Sequence, residues 1–336
     1  MRKIQSLFWN GEHKRLRLLW RLLIFFSLYA LLTLLLNFLT GIILPDNSAY
    51  YLTSAGNSLL AVFFMLFLGG KFLDQRSFRD FGFHVCRQWL KDFLFGLCLG
   101  AFLMAAIFTF ELAMGWIQID SFLVNFTGGE YFVTDTLKVL VLFICIGFYE
   151  EMLMRGYLLR NLAEGLNIHQ KNSIAALLLA TLLSSIIFGA LHGMNPNATF
   201  MSTINISIAG IFLALGFLMT GELGISIGLH IAWNFFQGPV FGFPVSGITS
   251  FSKILKIQQL GNEQITGGLF GPEAGLIGLI AMIIGLAVIC LYVKITQKNI
   301  MFRDYLALYI SPKTIIYNTK KHPPCYNRNN IEKLNK

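Results

Sequence analysis

The sequence predicts an all-α polytopic membrane protein, and three observations carry that prediction. The 336-residue chain is 55% hydrophobic and only 13% charged. Nearly uncharged runs of about 18 residues or more, the length a bilayer core demands, recur along most of it. Lysine and arginine gather in alternate connections, the asymmetry expected of loops retained on the cytoplasmic side. A soluble chain has too little polar surface to cover so many apolar runs, which excludes a water-soluble globule.

The first element is a basic arm over residues 1–17, "MRKIQSLFWNGEHKRLR", and the first span follows at 18–44. Its apolar run is too long for the core of a signal peptide, and no small-residue cleavage site follows, so it reads as uncleaved. Further spans are read at 52–70, 93–117, 133–161, 173–194, 199–220, 223–243 and 273–296, about eight in all. Between the second and third, "SFRDFGFHVCRQWLKDF" mixes aromatic and basic residues and suits a short amphipathic segment lying in the interface. Beyond Lys298 the tail to residue 336 is polar, basic and broken by proline, which predicts disorder and contact with anionic lipid. The domain plan is thus an arm (1–17), a transmembrane domain (18–297) with its chemical core at about 130–245, and a tail (298–336).

The net charge of +9 needs no nucleic acid to explain it. The basic residues lie in the arm and just beyond it (Arg15, Arg17, Arg21), the 71–91 connection (Lys71, Arg76, Arg79, Arg87) and the tail. With eight spans these fall on one side, which predicts a multi-pass protein of the plasma membrane with both termini cytoplasmic. Lys253 and Lys256 depart from the pattern, since they fall in an outer loop. Five widely spaced cysteines without a C-x-x-C pair imply neither a zinc site nor a disulfide framework, and read as reduced or buried thiols.

Against this background, ionisable residues inside spans stand out, because each costs roughly 2.5–3.5 kcal/mol at a helix centre. "FYEEMLMRGYLLR" carries Glu150, Glu151 and Arg155. Glu151 and Arg155 are four apart and share a helix face, so they can pair. Glu150 is rotated by about 100° and lacks that partner. An unpaired carboxylate in a low dielectric is suited to acid–base work near neutral pH. A two-Glu, one-Arg cluster that only locks helices together explains the same residues. "FGALHG" ends the fifth span at His192, one turn after Phe188, where a histidine serves either chemistry or helix–helix hydrogen bonding. "GLHIAWNFFQG" sets His230 and Asn234 four apart on one face. Two donors in that register suit an oxyanion, and equally suit interhelical glue. If these residues converge, they supply a base, an imidazole partner and an oxyanion hole.

Taken in order, E-E-x-x-x-R (Glu150, Glu151, Arg155), F-x-x-x-H (Phe188, His192) and H-x-x-x-N (His230, Asn234) resemble the CPBP intramembrane proteases. That family includes the type II CAAX prenyl endopeptidases and relatives linked to bacteriocin processing and self-immunity. The resemblance spans about residues 130–245 and is reinforced by "RGYLLRNL" and "FQGPVFGFPVSG". It implies eight helices around an intramembrane catalytic cavity open to the cytoplasm, in a bacterial setting. It also implies an endopeptidase whose substrate is a membrane-associated or lipid-modified peptide or protein. Glu150 would activate water with help from His192. His230 and Asn234 would stabilise the oxyanion, and Glu151 and Arg155 would support them. No metal or other cofactor is required by that scheme. A zinc site of Glu150, His192 and His230 is the alternative, although no H-E-x-x-H is present. The competing function is a non-catalytic scaffold or immunity protein that binds a peptide in the same cavity.

One difficulty is legible already. His230 lies about 10 Å beyond the turn "TGELG" at 1.5 Å per residue, whereas His192 falls near the opposite face. A break at "HGMNPN" or a fifth span shifted along its axis would bring them together. Glu111, in the third span, matches none of the motifs.

Overall fold

The computed structural model describes residues 7–44, 50–125, 131–168 and 172–309. A short ribbon, β1 (Trp9–Asn10) with β2 (Arg15–Leu16), leads into α1 (Leu18–Ile43). Then come α2 (Tyr50–Gly69), α3 (Arg87–Ala113) and β3 (Ile117–Val124). Next, α4 (Phe132–Glu151) runs on through a π-helical stretch, Met152–Leu159, into Arg160–Leu166. The bundle closes with α5 (Ser173–His192), α6 (Phe200–Thr220), α7 (Gly224–Phe235), β4 (Lys253–Gln259) and α8 (Leu276–Gln297).

Seven of these helical segments are long and apolar enough to cross a membrane. The predicted span at 223–243 is different. It is the 12-residue α7, extended by one π turn over Phe236–Val240, with every residue from Gly224 to Trp233 buried. A helix surrounded by protein need not match the bilayer in length, because its neighbours shield its ends from lipid. Glycines let α7 sit that deep. A Cβ on Gly96 of α3 would collide with Ile225 O, and one on Gly100 would come within 2.7 Å of Leu229 O. One on Gly228 would collide with Phe93 O. The two helices thus touch backbone to backbone through paired G-x-x-x-G faces.

The described chain ends share one end of the bundle. There Arg15, Arg21 and Arg76 all pair with Glu164, Arg21 at 3.0 Å, and Arg21 also pairs with Asp74 at 2.5 Å. Several of the residues counted toward a basic cytoplasmic face therefore make buried ion pairs. Arg303 donates to Met219 O (2.9 Å), Leu306 and Ala307 are buried, and Arg15 covers the Tyr309 ring at 3.5 Å. The chain beyond Lys298, expected to be disordered, is packed through Tyr309; the rest of the predicted tail and residues 1–6 of the arm lie outside the described residues.

Other departures have clear causes. The segment expected in the interface turns inward instead, with Phe81, Phe83 and Trp89 buried and the Trp89 indole donating to Gly82 O at 3.1 Å. At the opposite end of the bundle, β3 and β4 form an antiparallel ribbon from Ile117↔Gln259 to Val124↔Lys253. The alternation in "IQIDSFLV" foreshadows it, but a reading by apolar runs leaves it as loop. Lys256 of β4 pairs with Asp120 of β3 at 2.6 Å, which accounts for one exception to the charge pattern. Cys98, Cys145 and Cys290 are free thiols, whereas Cys86 is disulfide-bonded, contrary to the expectation for all five.

Candidate active site

The six residues singled out by sequence lie on α4 and the π-helical stretch that follows it, on α5 and on α7. Arg155 Nη1 donates to Glu151 Oε1 (2.8 Å), and Arg155 Nη2 donates to Gly210 O of α6 (2.9 Å). The same Glu151 oxygen accepts from His230 Nδ1 at 2.8 Å. Because an ionised carboxylate only accepts, Nδ1 carries the hydrogen, and Nε2 is left to face the cavity. There it stands 3.8 Å from Glu150 Oε2. That separation is too long for a direct hydrogen bond and short enough for one water to touch both. Glu150 Oε1 accepts from the Tyr149 hydroxyl (3.2 Å), while its buried Oε2 has no hydrogen-bond partner among the described residues.

Depth is reconciled by where α7 starts. Ser226, the third residue of α7, donates to Leu213 O of α6 (2.7 Å), seven residues before that helix ends at Thr220. At 1.5 Å per residue α7 is therefore already about 10 Å inside the bundle at that point, and His230 is one turn further. On the other side, a Cβ on Gly210 of α6 would lie 3.0 Å from Ser185 Cα, which puts that level well along α5. His192 is the last residue of α5, and its ring turns back so that Nδ1 donates to Phe188 O at 2.8 Å. Phe188 fills the space between the imidazoles, 4.5 Å from His192 and 6.4 Å from His230 by ring centroids. The Arg155 guanidinium lies over the same ring at 4.6 Å. The helix α5 ends at His192, where "HGMNPN" begins, and Asn195 of that segment also lines the cavity, while the recessed start of α7 carries His230 deeper than a count from the turn suggests.

Glu150, His192, His230 and Asn234 all line one cavity of about 490 Å³. Asn234 is part-exposed to it and makes no side-chain hydrogen bond among the described residues. The histidine beside Glu150 is His230, whereas the resemblance assigns that partnership to His192. The cavity lies in the half of the bundle away from the chain ends, and is bounded there by Tyr51, Asn195, Ser246 and Phe251.

Among the described residues no group of three His, Cys, Asp or Glu side chains is arranged to hold a metal ion. One nitrogen of each imidazole is held by Glu151 or by Phe188 O, which leaves each Nε2 available, the same arrangement that orients histidines ligating a metal.

Two features of the site escaped sequence reasoning. Two of the three helices that carry the polar residues, α4 and α7, run into π-helical stretches, Met152–Leu159 (which holds Arg155) and Phe236–Val240, a distortion frequent at functional sites. Beyond α7, Glu273 also lines the cavity. It accepts from Ser246 N (2.6 Å) and from the Gln237 amide, and burial pushes its carboxyl up to about 7. "FQGPVFGFPVSG" was the available signal, since Gln237 lies three residues after Asn234 on the same helix. Glu111 is buried with no partner for either carboxylate oxygen among the described residues, and it lies outside the cavity.

Fold and site together define a polytopic α-helical membrane protein with a carboxylate–imidazole cavity inside its bundle. Residues 132–236 match the family model of the type II CAAX prenyl endopeptidase Rce1-like proteins, which supports the resemblance to CPBP proteases read from the three motifs. No curated protein and no solved structure matches the chain. The matched segment holds all six polar residues and leaves α1 to α3, α8 and Glu273 outside it.

Proposed function

We propose that this protein is an intramembrane endopeptidase that hydrolyses a peptide bond of a membrane-associated peptide or protein, without a metal. The observation that carries this reading is the buried, unpartnered Oε2 of Glu150, 3.8 Å from His230 Nε2. A water between these two atoms donates one hydrogen to each and turns its lone pair toward the substrate carbonyl. As the water oxygen attacks the carbonyl carbon, its proton passes to Glu150. The oxyanion that forms is met by the Asn234 amide, which has no competing partner among the described residues. Glu150 then returns the proton to the amide nitrogen, the C–N bond breaks, and a carboxylic acid and an amine form, the acid passing its remaining proton to the amine as carboxylate and ammonium leave. Arg155 holds Glu151 in place, and Glu151 fixes the tautomer and tilt of His230.

Purified protein incubated with host membrane peptides is the test, with Glu150→Ala as the control. Cleavage by the wild type alone, surviving a strong chelator, is expected. Peptide binding without turnover would instead mark a non-catalytic scaffold. Activity lost to the chelator and restored by stoichiometric zinc would overturn the metal-free scheme. Asn234→Ala should lower kcat by ~10²–10³ with KM little changed.

A further inference from the structure

His192 and Asn234 both line the cavity, and both stand at the ends of their helices, where intrahelical hydrogen bonds run out. Past Asn234 the chain enters the π turn Phe236–Val240, and Pro239 within it has no N–H to return to the last carbonyls of α7. Past His192 the chain leaves α5 at Gly193, and Asn195 N donates back to His192 O at 3.1 Å. Whatever fixes these two helix ends relative to each other therefore fixes the site.

One side chain reaches toward both. Glu273 is buried, and its Oε2 accepts from Gln237 Nε2, three residues after Asn234. The same amide nitrogen donates to Pro244 O at 2.5 Å. Glu273 Oε1 accepts from Ser246 N (2.6 Å) and from the Ser246 hydroxyl (3.3 Å). Ser246 O in turn accepts from Asn195 Nδ2 at 3.1 Å, and Asn195 leads back to His192. The carboxylate's own position is well anchored, because Asn205 of α6 donates to O of the next residue, Ala274, at 2.6 Å. Gly271 completes the cluster. Its φ is +122°, and a Cβ there would lie 2.4 Å from Pro244 O and 2.7 Å from both Gln237 Nε2 and Glu273 Oε2. Only glycine lets these groups converge. A carboxylate is costly to bury, and what it offers over an apolar side chain is acceptance from two directions at once.

Given the endopeptidase reading above, we infer that Glu273 is a positioning residue of the reaction: through Gln237 on one side, and through Ser246 and Asn195 on the other, it holds Asn234 and His192 at the spacing the site uses. It acts through these neighbours and not on the scissile bond.

The test compares full-length variants in lipid nanodiscs at a pH above the value of about 7 to which Glu273 is raised, where its carboxylate only accepts. Glu273→Ala removes both arms of the brace. Glu273→Gln keeps the shape and loses one arm, because its NH₂ faces a donor whichever way the amide turns. The substrate is a host membrane peptide that the wild type cleaves. In each variant kcat per folded protein should fall about tenfold to a hundredfold, with KM little changed. Combined with Asn234→Ala, Glu273→Gln should cost less than the product of the two single losses, whereas a general weakening of the fold would multiply. Amide hydrogen exchange gives a readout without turnover. It should quicken over 193–197 and 236–246 in Glu273→Ala, and over at least one of these segments in Glu273→Gln. Wild-type kcat in folded Glu273→Gln protein, losses that multiply in the double variant, or wild-type exchange over both segments overturns the proposal. A wild type that cuts no peptide strikes the endopeptidase reading instead, while exchange still decides whether Glu273 joins the two helix ends.

Discussion

At the end of the bundle that holds the chain ends, Glu164 receives three arginines, while halfway along the same helical rod Glu150 keeps one carboxylate oxygen without a partner among the described residues. Both are carboxylates on α4 and its extension, set inside the bundle. The first is saturated: Arg15 and Arg21 reach one oxygen, Arg76 reaches the other, and the cluster ties β2, α1, the connection after α2 and the Arg160–Leu166 extension of α4 together. The second is left unfinished beside an imidazole whose other nitrogen is fixed by Glu151. A saturated cluster resists change and suits a structural joint. An unsaturated one retains the capacity to take up a proton or a water, which is what chemistry requires. The comparison teaches that intramembrane charge is read by how completely it is paired.

Three substitutions sharpen this contrast, and the largest combined effect belongs to Glu151→Gln. It removes the charge that pairs with Arg155 and orients His230, so thermal stability and turnover should fall together. Breaking a buried pair of this kind costs roughly 3–5 kcal/mol. Glu164→Gln should bring a comparable loss of stability, read as the unfolding temperature in detergent. Molecules that remain folded should nevertheless turn over at nearly the wild-type kcat, and a specific kcat defect would break the distinction between the two clusters. Tyr149→Phe is the gentlest change. It deletes the 3.2 Å hydrogen bond to Glu150, worth roughly 0.5–1.5 kcal/mol, and should lower kcat several-fold while leaving stability unchanged.

Much of this arrangement is legible in the amino-acid sequence. Apolar runs give the helices because lipid imposes a length, and the i, i+4 pairing of Glu151 with Arg155 follows from helix geometry alone. What the sequence withholds is relative depth. Counting residues from the turn at "TGELG" assumes that α7 starts level with its neighbours, but Gly96, Gly100, Gly224 and Gly228 let it sink against α3. Those glycines are visible as G-x-x-x-G spacings, yet nothing local says which faces meet. The same limit hides Glu273, which sits at the very edge of the last apolar run and is held in the cavity by Gln237 and Ser246. It also hides the buried state of Arg15, Arg21 and Arg76, which read as free surface charge until Glu164 and Asp74 are seen beside them.

The central claim is that Glu150 serves chemistry rather than architecture, and Glu150→Gln tests it most directly. The substitution keeps the volume and the Tyr149 contact while removing the base. Unfolding temperature and cleavage of a membrane peptide should be measured on the same preparation. The account predicts an unfolding temperature close to wild type with cleavage abolished. Wild-type turnover in Glu150→Gln protein, or a loss of activity that only tracks a loss of folded protein, would contradict it.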